Sequence, residues 1–287
     1  MAIRNPIEWG VDQLRLGAGA VGAVGHDVRH AQEEVLGPPP RIARIGIADL
    51  REALARGLDD FKSNRTDVIF LCVAYPVLGL ILGNMASGMA TLPLLFPLAA
   101  GFALVGPLAA VGLYEISRRR EQGLEVSWAD AFGVLRSHAL GSIIMVGLVL
   151  LALFGLWLMA AKGIYTLTLG PEQPHSLVGF VRDVVGTSRG WALIVIGMGV
   201  GFLFAVVALA IGVVSFPLLL DREVGFETAL WTSVRAVAAN PGTMALWGLI
   251  VAAGLLLGSI PLFLGLVIVL PVLGHGTWHL YRRVVQR

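Results

Sequence analysis

Four stretches of the chain contain no Asp, Glu, Lys or Arg: between Asp67 and Glu115, between Arg136 and Lys162, between Arg189 and Asp221, and between Arg235 and Arg282. A helix needs about 20 apolar residues to cross roughly 30 Å of hydrocarbon. The first and fourth gaps therefore hold two helices each, the second and third one each. The pattern predicts an all-α, polytopic six-transmembrane-helix bundle with spans at 68–84, 92–114, 138–161, 191–219, 243–258 and 262–281. A segment at 1–40 precedes it, a helical segment at 41–67 leads into it, and a tail at 282–287 follows. Between the gaps, Ile47, Leu50, Leu54, Leu58 and Phe61 recur at steps of three and four, which predicts an amphipathic helix lying in the headgroup plane. Arg51, Glu52, Arg56, Asp59 and Asp60 are expected mostly on its other side.

Two similar polar segments precede later hairpins. Trp128 to His138 and Glu227 to Val237 share with Arg51 to Phe61 an alanine followed by a bulky apolar residue: Ala53-Leu54, Ala131-Phe132 and Ala229-Leu230. The chain thus reads as three repeats of interfacial helix plus transmembrane hairpin, with chance similarity of short amphipathic segments as the alternative. Prolines fall in or near the second span of each pair, at Pro97, Pro107, Pro217 and Pro271, where each removes a backbone donor. Gly79/Gly83, Gly197/Gly201 and Gly254/Gly258 make small-residue steps that suit close helix packing within the bundle.

Composition agrees with lipid exposure. Of 287 residues, 56% are hydrophobic and 14% charged, well below the charged share of about 25% in soluble domains. With 21 basic and 19 acidic residues, no polybasic field points to nucleic acid. Orientation follows the basic residues. With the amino terminus inside, 18 of 21 lie on the cytoplasmic side and Lys162, Arg182 and Arg189 outside, predicting a multi-pass inner-membrane protein with both termini cytoplasmic. The glycine-interrupted stretch Leu16 to Val24 is a poor signal-peptide core, so no cleavage is expected.

Several stretches, IEWGVDQLRL (7–16), LPLLFPLAAGFALVGPLAAVGLYEISRRREQG (92–123), VSFPLLLDREVG (214–225), NPGTMALWGLIVA (240–252) and PVLGHGTWHLYRR (271–283), resemble a bacterial family of predicted integral membrane proteins known as domain of unknown function 2189. The resemblance implies a multispanning inner-membrane protein of alphaproteobacterial type. It implies no activity and no catalytic residues; some relatives carry a cytochrome c oxidase label.

Candidate chemistry is sparse. No ionisable residue lies deep in a span, which argues against proton-coupled transport and intramembrane metalloproteolysis. Motifs for zinc proteolysis, acyl transfer and nucleotide hydrolysis are missing. The lone Cys72 allows no disulfide framework. No cofactor and no catalytic residue is expected. His275 and His279, one turn apart, are the weak candidates for a metal or haem; beside Trp278 and Tyr281 they also suit a helix end at the interface. Glu115 with Arg118, Arg119 and Arg120, and Trp278 with Arg282 and Arg283, are expected at a lipid or partner interface. The expected partners are the bilayer and another membrane protein or complex. The leading reading is a non-enzymatic accessory or scaffold subunit of a membrane complex, respiratory complexes included. The alternatives are a transporter or lipid-handling protein for a neutral or apolar solute, and a metal or haem protein using His275 and His279.

Overall fold

The computed structural model describes residues 40–63, 92–261 and 264–286. The span expected at 68–84, its turn and the segment before residue 40 lie outside the described residues. The described residues are mainly helical, with one isolated antiparallel bridge, Ile42 to Val285.

Helix α1 (Ile47–Ser63) is the amphipathic helix that the spacing predicts, but its buried face is rotated. Leu50, Ala53, Gly57, Asp60 and Phe61 are buried, whereas Ile47 and Leu58 are exposed. The reason is its neighbour: α1 packs along helix α9 (Leu266–Val284), and a β-carbon at Gly57 would stand 2.6 Å from the Gly276 nitrogen. Only glycine allows that backbone approach.

A short 3-10 turn (Leu92–Leu94) leads into α2 (Leu95–Ala109), and α3 (Val111–Glu121) follows at once. The single span expected over 92–114 is thus broken at Ala110, three residues after Pro107, where the Leu113 N–H donates to the Ala110 carbonyl. Helix α3 is closed just past its end by Gly123, whose φ of 73° places it in the left-handed region that favours glycine. A 3-10 helix (Trp128–Arg136) packs on α3. Then come α4 (Leu140–Thr168), α5 (Leu177–Gly186), α6 (Ser188–Asp221), α7 (Phe226–Ala239) and α8 (Pro241–Ser259).

Among the described residues, three helices are long and apolar enough to cross a bilayer: α4, α6 and α8. Helix α9 differs from an apolar span, for its second half carries the buried His275 and Thr277 and then His279, Arg282 and Arg283.

Burial divides the molecule into two tiers. At the end carrying the arginines, packing is dense: in α6 every residue from Gly212 to Leu220 is buried, with Tyr114 of α3, Trp247 of α8 and Trp278 of α9 in the same core. Further along, the same helices turn apolar side chains outward, including Met159, Val195, Met198, Phe202, Leu249 and Leu256. So much exposed apolar surface is stable in a bilayer and would aggregate in water. Pro217 removes a backbone donor from α6, and α7 bonds the same stretch, where Ser233 Oγ accepts from the Val214 N–H at 3.2 Å.

The dense tier also joins distant parts of the chain. Asn240, between α7 and α8, accepts from the Ile45 N–H (2.8 Å) and donates to the Ala43 carbonyl (3.0 Å), while Thr243 donates to the Ile45 carbonyl. Residues 41–43 run antiparallel to 284–286, with the Ala43 N–H on the Val284 carbonyl at 2.7 Å.

Candidate functional site: a buried polar network between helix ends

The dense tier gathers most of the described ionisable residues. Asp60 of α1, Ser117 of α3 and His275 of α9 are buried where the three helices meet. Asp60 Oδ2 accepts from Ser117 Oγ at 2.7 Å and from His279 Nε2 at 2.9 Å. Asp60 Oδ1 faces Arg120 Nη1 at 3.1 Å. Ser117 has one proton, and the carboxylate takes it; its oxygen therefore accepts from His275 Nδ1, 2.7 Å away. This assigns the proton of His275 to Nδ1. His275 Nε2 then holds a lone pair, buried and without a hydrogen-bond partner.

Burial raises the Asp60 carboxyl, but the hydrogen bonds from His279 and Ser117 and the nearby imidazoles outweigh it, so it titrates below its ordinary value. A carboxylate that accepts several hydrogen bonds is favoured in its charged form. The cluster is a satisfied anion rather than a reactive acid.

A second junction links α3, α6 and α9. Arg282 donates to Glu121 at 2.7 Å and to Asp221 at 2.8 Å. Tyr281 donates to the same Asp221 oxygen at 2.6 Å, and Trp278 Nε1 to Glu121 at 3.1 Å. The Arg282 guanidinium lies 5.8 Å from the centre of the Trp278 ring. In a third group, Glu115 takes a two-pronged contact from Arg118 (2.7 and 2.8 Å) and one from Arg119 (2.9 Å), and Arg119 reaches Asp130 at 2.6 Å. Arg283 pairs with Glu52 of α1. Each guanidinium thus faces a carboxylate on its own or a neighbouring helix, and fork-shaped pairing of this kind fixes geometry as well as charge.

The structure therefore brings the expected site residues into one tier, where they face protein. Glu115 is buried, and the arginines at 118–120, 282 and 283 reach acids of α1, α3, α6 and the 3-10 helix. Trp278 is fully buried rather than at a surface. His275 and His279 point to Ser117 and Asp60. Among the described residues, no group of three His, Cys, Asp or Glu is placed to hold a metal ion. A shallow cleft of about 320 Å³ opens on this tier between Arg56, Glu121, Arg282, Arg283, Val285 and Gln286.

Sequence reasoning placed Asp60 on the polar side of its helix and Tyr281 beside the histidines without giving either a partner, and did not single out Ser117. One signal was present for Asp60: with Leu50, Ala53 and Gly57 it falls at steps of three and four, an acid on the buried stripe. Ser117 and Asp221 lie next to arginines and carry no such mark.

Apolar helices with lipid-exposed faces and a charged tier at one end define an integral membrane protein of the α-helical class. Residues 95–221 match a family described as predicted integral membrane protein (DUF2189), the family to which the motifs pointed. No curated protein and no solved structure matches the chain.

Proposed function

We propose that this protein is a non-enzymatic scaffold of the inner membrane, with its charged tier and both termini in the cytoplasm, which holds or assists another membrane protein or complex. The carrying observation is the use made of most of the charged side chains: they gather at one end of the helices and bond to one another across helix ends. A catalytic centre instead needs a reactive group open to a substrate. The basic residues of the charged tier support the orientation, since Arg118–Arg120, Arg222, Arg282 and Arg283 all belong to it.

The threefold plan of interfacial helix plus hairpin has support in how the units interlock. Helix α1 packs on α9, the 3-10 helix on α3, and α7 on α6, so each unit's interfacial helix covers the second hairpin helix of the unit before it, and the first closes on the last. The alanines of the shared motif, Ala53, Ala131 and Ala229, are all buried. So are Tyr114, Phe216 and Trp278, each followed two residues on by a buried Ile116, Leu218 or Leu280. The turns at Gly123 and Gly225 differ, however: Gly225 has an extended φ of −75° and caps α7.

Gentle extraction of a tagged copy from its own membranes tests the scaffold reading. Stoichiometric copurifying membrane proteins are the expected result; a monomer free of partners in two mild detergents would reject it.

A further inference from the structure

The α8–α9 hairpin is shorter than the α4–α6 pair beside it. A β-carbon at Gly248 of α8 would stand 3.3 Å from Leu209 of α6, so the two positions share a level. From Leu209 to the exposed Trp191, α6 rises about 27 Å, at 1.5 Å per residue. From Gly248 to the end of α8 at Ser259, the rise is about 17 Å on the same measure. Helix α4 confirms the far level, because Trp157 packs at Gly201 of α6 and Thr168 lies about 17 Å beyond it. The end of α8 thus lies about 10 Å short of the far ends of its neighbours, and any tilt of α8 lowers it further.

Helix α6 locates the membrane on this scale. A Trp such as Trp191 is at home at the headgroup level, and about 30 Å of hydrocarbon measured from it ends near Gly212. There lipid-facing side chains give way to the fully buried run through Leu220. Lys162 lies below the far end of α4 and is exposed; its stem can carry the ammonium outward to that surface. The tip has the composition of a buried turn. Ser259 to Gly265 contains no charged residue, Ile260 and Leu264 are 71% and 65% exposed, and Ser259 Oγ is bonded back to the Leu255 carbonyl at 2.7 Å. The turn also satisfies part of its own backbone, with the Leu264 N–H on the Pro261 carbonyl at 3.0 Å. A turn inside hydrocarbon requires such internal bonding. By contrast, the α4–α5 turn carries Glu172 and His175, both exposed.

We infer that the α8–α9 hairpin enters the bilayer from the charged-tier side and turns back within it, its tip docking against acyl chains of the bilayer core. The chain end stays on the same side either way, because a hairpin that turns back and one that crosses twice have equal parity.

The test uses the full chain with Cys72→Ser and single cysteines at Glu125, Glu172, Ile260 or Leu264, in sealed vesicles. A membrane-impermeant maleimide should label Glu172→Cys from one side and Glu125→Cys from the other. Ile260→Cys and Leu264→Cys should label from neither side, then fully after detergent. A fluorophore placed at Ile260→Cys should be quenched several-fold more by lipids with a nitroxide at carbon 12 than at carbon 5. Labelling from the Glu172 side would overturn the inference, whether the hairpin crosses or the bilayer thins to meet it. Strongest quenching at carbon 5 would also overturn it, and weak quenching by every lipid would put protein, not acyl chains, against the tip.

Discussion

Asp60 holds three helices through one carboxylate, and its removal leaves Ser117, His279 and Arg120 facing a lost anion. Asp60→Asn should destabilise the protein in mild detergent by about 1–3 kcal/mol, the cost of unsatisfied buried polar groups. Asp59→Asn, at the exposed neighbour whose carbonyl rather than carboxylate meets Arg120, should change stability by less than about 0.5 kcal/mol. Thermal melts of the two variants check the difference. The same residue sets a pH dependence. Its carboxyl titrates below the ordinary value of 3.8, so the folded state favours the anion; this contribution is fully present above about pH 4 and is lost as pH falls through the lowered folded value. The stability gap between wild type and Asp60→Asn should be constant from pH 7 to 5 and shrink only below about pH 4. A gap that closed near pH 6 would mean that a group other than Asp60 controls the junction.

Elements are placed here by close backbone approach and by bonds from irregular segments. Gly57→Ala would push a methyl into the Gly276 nitrogen and the Val272 carbonyl, 2.6 and 2.7 Å away. Those atoms are backbone and cannot swing aside, so α1 should separate from α9 at a cost of about 1–3 kcal/mol. Limited proteolysis near residues 40–46 should become faster. Gly46→Ala, where nothing lies within 4 Å, is the matched control. Asn240→Ala removes the donor and acceptor that hold Ala43 and Ile45, and should likewise free the segment before α1 while leaving α8 helical by circular dichroism. Helix α8 itself was legible from its apolar run. The break between α2 and α3 was signalled by Pro107 alone, and a proline between apolar residues is equally compatible with a kinked continuous span.

For the whole molecule, two tiers with different solvents replace a uniform bundle. The outward-facing apolar side chains of α4 and α6 need lipid, and the arginines need water or their carboxylate partners. An alkaline carbonate wash should therefore leave the protein in the membrane pellet. Release into the supernatant would contradict the bilayer assignment of the whole apolar tier. The family resemblance extended this picture without adding an activity, because the matched family is described only by its membrane character.

By itself the sequence determined the solvent. Long charge-free runs leave hydrocarbon as the stable surroundings, and helix is then the conformation that satisfies the backbone within each segment. It also marked α1 as amphipathic, through a period that needs no knowledge of its neighbours. What only the tertiary structure decided is which groups meet: Asp60 with Ser117 and His279, Arg282 with Glu121 and Asp221, Asn240 with the segment before α1. These partners lie 57 to 219 residues apart. Periodicity reports on neighbours within a few turns, whereas pairings at that separation depend on how helices pack against one another. The face that α1 buries was settled in the same way, by two glycines whose missing side chains let its backbone come down onto α9.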